Sequence, residues 1–345
     1  MRYGIVVDPV FVRHAPPPGH PERPDRIRSL LQALESWEKR SALQVFAPTP
    51  VDPSLLGRIH SEALLEQIRN TAGRDRSQID PDTYASARSY EVALLAAGGV
   101  VDLTSRLLDG EIETGFALIR PPGHHAESER AMGFCLFNNV ALAAEFALAS
   151  KGIDKVAIVD FDVHHGNGTQ QIFYERPDLL YISTHQYPLY PGSGDWNETG
   201  RGAGRGFSVN FPLPAGMGNT FYVSLFQDFI LPIVRSFAPD LVLVSAGYDA
   251  HREDPLAGMN LDERGFGAIA HLLNSTAREV CGGRLLYVLE GGYQLDALTR
   301  SVLATIEVSL SPSPVEIDGQ ESSAYRLYRQ SARAHLSESW NLFDN

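Results

Sequence analysis

The apolar run Val156-Ala157-Ile158-Val159 breaks into Asp160-Phe161-Asp162-Val163-His164-His165-Gly166-Asn167-Gly168, a cluster of metal-ligand side chains. Two oxygens and a nitrogen at alternate positions suit zinc, iron or manganese. Residues two apart in an extended chain point the same way, so Asp160, Asp162 and His164 can share one side while the segment is strand-like. An Asp-x-His pair alone also fits a helix-capping aspartate beside a hydrogen-bonded structural histidine, so it needs support from elsewhere. Support comes from three segments. His124 and His125 follow the turn Pro121-Pro122-Gly123, and imidazoles supply acid and base near neutral pH. Asp249 adds a third carboxylate after Leu241-Val242-Leu243-Val244-Ser245. Tyr293, after Glu290-Gly291-Gly292, can donate a hydrogen bond to a developing oxyanion. Asp162, His164 and Asp249 would leave a position open for water, the pattern of a catalytic rather than a closed structural site. The parts describe metal-assisted hydrolysis of an amide or ester.

Side chains so far apart in sequence need a scaffold that gathers them. Apolar, β-branched runs predict strands at 1–8, 115–119, 155–161, 179–185, 207–211, 241–245 and 285–289. Helical spacing predicts helices at 25–37, 84–108, 140–150, 220–237, 262–280 and 296–308, with short helices starting near Asp52 and Ser61. Gly98-Gly99 inside the second of these would let another element approach closely. Strands alternating with helices imply a three-layer α/β/α fold with a mainly parallel sheet, and such folds bind ligands beyond the C-terminal strand ends. Every polar cluster above falls at such an end. The Pro- and His-rich loop 13–24 reads either as a surface crossover or as a rim loop setting substrate access or subunit contact. Residues 1–310 are expected to form the catalytic domain, with 311–345 as a linker and a last exposed helix over 324–336.

A chain of 345 residues, 43% hydrophobic, can bury a large core. Lys plus Arg number 29 against 42 Asp plus Glu, a net −13, which disfavours nucleic acid and mildly favours cationic substrates. The N-terminus reads as a strand rather than a secretory leader, and no apolar stretch is long enough for a membrane span. Cys135 and Cys281 lack a CxxC spacing and are expected as thiols, which fits a cytoplasmic protein.

The segments Arg120-Pro121-Pro122-Gly123-His124-His125-Ala126, Asp160 to Thr169, Ser245-Ala246-Gly247-Tyr248-Asp249-Ala250 and Glu290-Gly291-Gly292-Tyr293 occur in the order found in zinc-dependent histone deacetylases, and the chain resembles that family over about residues 3–308. Asn167 and Asp254-Pro255-Leu256 resemble class II enzymes and their bacterial relatives. The resemblance implies an arginase/deacetylase-type fold, one catalytic Zn2+ on Asp162, His164 and Asp249, and a structural K+ at Asp160, Asp162, His164, Ser183 and Thr184. It implies His125 as the base that later protonates the leaving amine, His124 beside Asp160 as an electrostatic partner, and Tyr293 polarising the acyl carbonyl. Phe134 and Tyr190 match the walls of an acyl-lysine tunnel, Gly133 its narrow side and Leu256 its mouth, with Gly291 grouped among the substrate-binding residues. Two positions depart from many relatives. Asn167 stands where class I enzymes have Asp, depriving His125 of a carboxylate partner, and Tyr190 stands where many have Phe.

The implied activity is hydrolysis of N6-acetyl-lysine or a related acyl-lysine amide, on a peptide or protein. An acetylpolyamine or other small acetylated amine is the alternative; the same chemistry serves it, although Leu256 offers no carboxylate to select a second cation. A binuclear manganese ureohydrolase would need a carboxylate two residues after His164, where Gly166 stands. A non-catalytic module of this shape would have lost a ligand, a histidine or the tyrosine, and none is lost. Neither nucleic acid nor membrane is expected as a partner, and a homo-oligomer is left open.

Overall fold

The computed structural model describes residues 2–150, 152–311, 313–317 and 322–342. Among these residues the strands are β1 Tyr3–Val6, β2 Leu43–Phe46, β3 Ser77–Gln78, β4 Tyr84–Ala85, β5 Thr114–Ala117, β6 Val156–Asp160, β7 Leu179–Gln186, β8 Ser208–Leu213, β9 Leu241–Ala246 and β10 Leu285–Leu289. Eight of them form one sheet in the order β2-β1-β5-β10-β9-β6-β7-β8, every pair parallel. The inner strands β5, β10, β9 and β6 are buried at every residue, which is why they read as unbroken apolar runs rather than alternating ones. The helix Ser89–Leu108 packs with Asn139–Leu148, while Asp25–Ser36 and Glu263–Cys281 pack with Leu295–Leu310, giving the expected α/β/α layers. Because all strands run one way, the loops after β5, β10, β9, β6 and β7 emerge along a single rim, where the polar clusters meet.

The glycines inside Ser89–Leu108 do allow a close approach. A Cβ on Gly98 would stand 1.9 Å from the Thr49 carbonyl oxygen, so the incoming segment lies directly on the helix, and Val51 N–H donates to Leu94 O at 3.0 Å. Four sequence expectations need correction. The helix expected from Tyr84 starts at Ser89, because Tyr84–Ala85 pairs antiparallel with Ser77–Gln78 and the Ser89 hydroxyl accepts from Ser86 N–H. The edge strand β2 was not anticipated, since Leu43-Gln44-Val45-Phe46 is too short and half-exposed to stand out. The stretch 220–237 is helical but contains a π-helical turn, Phe226–Ile230, just before Pro232, whose ring cannot continue ordinary helical bonding. The last helix, Ser323–Leu336, is not simply exposed: it buries Tyr325, Ala332 and Leu336, and His335 stacks on Trp196 at 4.9 Å. Both cysteines are free and buried, and no helix among the described residues is long and apolar enough to cross a membrane.

Candidate metal centre and active site

β6 ends at Asp160 and the chain turns, carrying Asp162 and His164 past the sheet edge to meet Asp249 from the loop after β9. His164 Nδ1 lies 3.2 Å from Asp162 Oδ1 and 3.1 Å from Asp249 Oδ2, and one donor atom from each residue falls within 4.8 Å of the others. Backbone donors fix both carboxylates: Val163 N–H donates to Asp249 Oδ1 at 2.9 Å, and Gly291 N–H to Asp162 Oδ2 at 2.8 Å. Gly247 and Gly291 let the carboxylates in, since a Cβ on either would lie 2.0 or 2.1 Å from a carboxylate oxygen. Burial works to lower the pKa of His164, but bonding to Asp162 and Asp249 outweighs it and raises it to about 10, while burial and the Asp162 charge push Asp249 up to about 7. The pocket therefore draws a cation. A divalent metal in place of the His164 Nδ1 proton would satisfy all three donors at once, so the residues fit a metal centre.

Beside this cluster, His124 Nδ1 bonds Asp160 Oδ2 at 3.0 Å and His125 Nδ1 bonds Asn167 Oδ1 at 2.8 Å. Asp160 does not join the ligand cluster as its strand-like spacing suggested: the strand stops there, and its carboxylate serves His124 and accepts from Tyr181 O–H at 3.1 Å. Burial opposes charge on His124, yet Asp162 and Asp160 prevail and raise its pKa to about 10; burial and the charges of His124 and His164 hold His125 well below the usual histidine range. Glu290 accepts from Gly123 N–H at 2.6 Å and His124 N–H at 3.1 Å, which ties the histidine turn to the end of β10.

These groups open onto a cavity of about 230 Å³ whose wall includes Gly133, Phe134, Tyr190, Leu256 and Tyr293 with His125 and His164. Tyr190 stands edge-on to His125 at 5.2 Å, and Phe134 edge-on to Tyr293 at 5.8 Å. A Cβ on Gly133 would lie 2.4 Å from the His125 ring, and both Gly133 and Phe134 have positive φ, 57° and 68°. Burial, with the Asp249 charge, pushes the Tyr293 phenol above its ordinary pKa, so it carries its proton. Gly291 does not line this cavity; its N–H donates to Asp162 behind it. Ser183 pairs in register with Asp160 across β6 and β7, its hydroxyl 2.9 Å from His185 Nδ1, and the neighbouring Thr184 hydroxyl is buried without a partner among the described residues.

Several residues escaped the sequence reading. Asp82 and Leu189 also line the cavity. Asp254 Oδ2 accepts from Tyr293 N–H at 2.7 Å while its Oδ1 accepts from Leu256 N–H at 3.1 Å, joining the tyrosine to the cavity mouth. The Pro-rich loop is neither a plain crossover nor only a rim. Its Glu22 is fully buried between Arg120 and Arg26, with Arg120 Nη2 at 2.6 Å from Oε2 and Arg26 Nη1 at 3.1 Å from Oε1. Arg26 Nε donates to Gly292 O at 2.7 Å and its guanidinium lies 5.1 Å from the Tyr293 ring centre, while His20 packs edge-on to Phe134 at 4.7 Å. No local pattern marks such a charge as buried, because one of its two partners, Arg120, stands 98 positions away.

The Histone deacetylase domain matches residues 20–309 of the chain. Among curated proteins, "Histone deacetylase 10, chloroplastic" of Oryza sativa subsp. japonica is 40% identical over 84% of this chain and 70% of that protein. "Histone deacetylase 15" of Arabidopsis thaliana is 41% identical over 86% of this chain and 53% of that protein, so the chain spans about half its length. Among solved structures, the HDA15 HD domain superposes with a TM-score of 0.93 at 36% identity, covering 99% of this chain and 98% of that one. The chain belongs to the histone deacetylase family.

Proposed function

We propose that the chain is a zinc-dependent deacetylase that hydrolyses N6-acetyl-lysine, or a related acyl-lysine amide, to a free amine and a carboxylate. The observation that carries this reading is the convergence of Asp162, His164 and Asp249 with neutral His125 and protonated Tyr293 at one cavity of about 230 Å³. In this reading Asp162, His164 and Asp249 hold Zn2+, which supplies a Lewis acid that acidifies water and polarises the acyl carbonyl. His125 takes a proton from the attacking water and returns one to the departing lysine nitrogen, so that the C–N bond breaks without releasing an amide anion. His124 keeps its positive charge beside the tetrahedral intermediate, and the Tyr293 hydroxyl donates to its oxygen. Phe134 and Tyr190 flank the methylene chain and exclude water, with Leu256 at the mouth. Asp160, Ser183 and Thr184, with the carbonyls of Asp162 and His164, would hold a structural K+; the unpartnered Thr184 hydroxyl is compatible with that assignment. The catalytic unit is residues 1–310, with the helix Ser323–Leu336 packed on it.

One observation favours a second reading. Asp82 puts a carboxylate on the cavity wall, where it could pair with the second nitrogen of an acetylpolyamine. Turnover of an acetyl-lysine peptide beside acetylated putrescine and spermidine, by the zinc-loaded enzyme, separates the two. Faster peptide turnover supports the lysine reading, and faster polyamine turnover replaces it with the second.

A further inference from the structure

Asn167 presents two different atoms to its neighbours, and the surroundings fix which faces His125. Its amide nitrogen meets three acceptors: Glu127 Oε1 at 2.7 Å, Met132 Sδ at 3.4 Å and the His125 carbonyl at 3.5 Å. Turning the amide over would press its oxygen against a carboxylate, a thioether and a carbonyl, none of which can donate. The oxygen therefore faces His125 Nδ1 at 2.8 Å, and an acceptor there requires the imidazole hydrogen on Nδ1, leaving the lone pair on Nε2. Glu127 is the strongest of the three acceptors because it is close and ionisable. Its backbone is held in place: Glu127 N–H donates to Arg130 O at 2.9 Å, and its carbonyl lies 3.0 Å from His60 Nδ1.

We propose that Glu127 is a positioning residue which, through the Asn167 side chain, holds His125 in the Nδ1–H tautomer. A carboxylate thus still commands this imidazole, one residue removed. The kinetic consequence rests on the proposed role of His125 as the base; the tautomer does not.

The test compares the zinc-loaded wild type with Glu127→Ala and Glu127→Gln. The His125 ring nitrogens are read by 15N NMR, assigned against His125→Asn, together with zinc content, Tm, and kcat and KM on an acetyl-lysine peptide. The wild type is expected to show Nδ1–H. Glu127→Ala should show mixed tautomers and a kcat lower by about tenfold or more, with zinc content and KM retained. Glu127→Gln keeps an acceptor oxygen and should recover both the Nδ1–H signal and most of kcat. An Nε2–H wild type, a Glu127→Ala ring spectrum unchanged from wild type, or a Glu127→Gln enzyme as impaired as Glu127→Ala would each overturn the proposal. A wild type that turns over no acetyl-lysine peptide would sink the lysine reading, and the ring spectra would still decide this one.

Discussion

The His124 and His125 rings lie 4.0 Å apart, centre to centre, yet their surroundings drive one to the charged and the other to the neutral state. Asp160 and Asp162 keep a proton on His124, whereas His125 is buried, lies beside the charged His124 and is paired only with a neutral amide. Two adjacent titratable groups pushed apart in this way divide the labour of acid–base catalysis. Only the neutral ring can accept a proton at neutral pH.

The two histidines should therefore respond unequally to removal. His125→Ala is expected to lower kcat by about 10² to 10⁴, the usual worth of a positioned general base, and His124→Ala by less. Single-turnover rates at equal zinc content check this, and a larger loss from His124→Ala would contradict the assignment.

Gly133 has no room for a side chain. A methyl there would lie 2.4 Å from the His125 ring on a backbone of φ 57°, so Gly133→Ala must displace His125 or strain the turn. A loss of kcat/KM of about 10² is expected with metal still bound. An alanine enzyme of wild-type activity would show that the turn moves freely.

Glu22 anchors the Pro-rich loop by pairing with two buried guanidiniums at once. Glu22→Ala strands both in a dry interior and is expected to cost about 3–5 kcal/mol, measurable by urea unfolding. Deleting the loop should likewise destabilise the protein rather than merely retune its substrate choice, because Arg26 and Arg120 would lose the same partner. A change under about 1 kcal/mol for Glu22→Ala would mean that water reaches the cluster.

Most of the sheet could be read from the chain because it depends on local signals, whereas Gly133, Phe134, Tyr190 and Leu256 came only from the family resemblance, since spacing does not separate core from pocket wall. Buried parallel strands are continuous apolar runs, and Asp162, His164, Asp249 and Tyr293 each follow such a run directly. Glu22, Asp82, Glu127 and Asp254 were not legible as site residues. Each is a carboxylate in a polar loop whose meaning depends on a partner from another element: Arg120, the cavity, Asn167 or Tyr293. Gly291, expected among the substrate-binding residues, does not line the cavity. A glycine beside a tyrosine of the cavity wall suggests a lining residue, whereas its N–H here donates to Asp162.

His60 gives the fold an acid-sensitive joint. It accepts from Asn138 N–H at 3.0 Å and lies 3.0 Å from the Glu127 carbonyl, bonds that suit a neutral ring, and burial lowers its pKa to about 4. The unfolded chain, with an ordinary histidine pKa near 6.5, binds the proton first as pH falls, so this contribution is intact above pH 6.5 and is lost between pH 6.5 and about 4. The full loss is about 3 kcal/mol. Tm measured across that window should fall less steeply for His60→Gln than for the wild type; parallel slopes would mean that the ring opens to solvent before the protein unfolds.

The most direct test of the proposed chemistry is Tyr293→Phe in the zinc-loaded enzyme, assayed on an acetyl-lysine peptide. Phenylalanine keeps the ring against Phe134 and Arg26 and deletes only the hydroxyl donor. The expected result is a kcat lower by about 10² to 10³ with KM and zinc content little changed, the cost of removing one oxyanion donor. Wild-type turnover by Tyr293→Phe would contradict the mechanism at its centre.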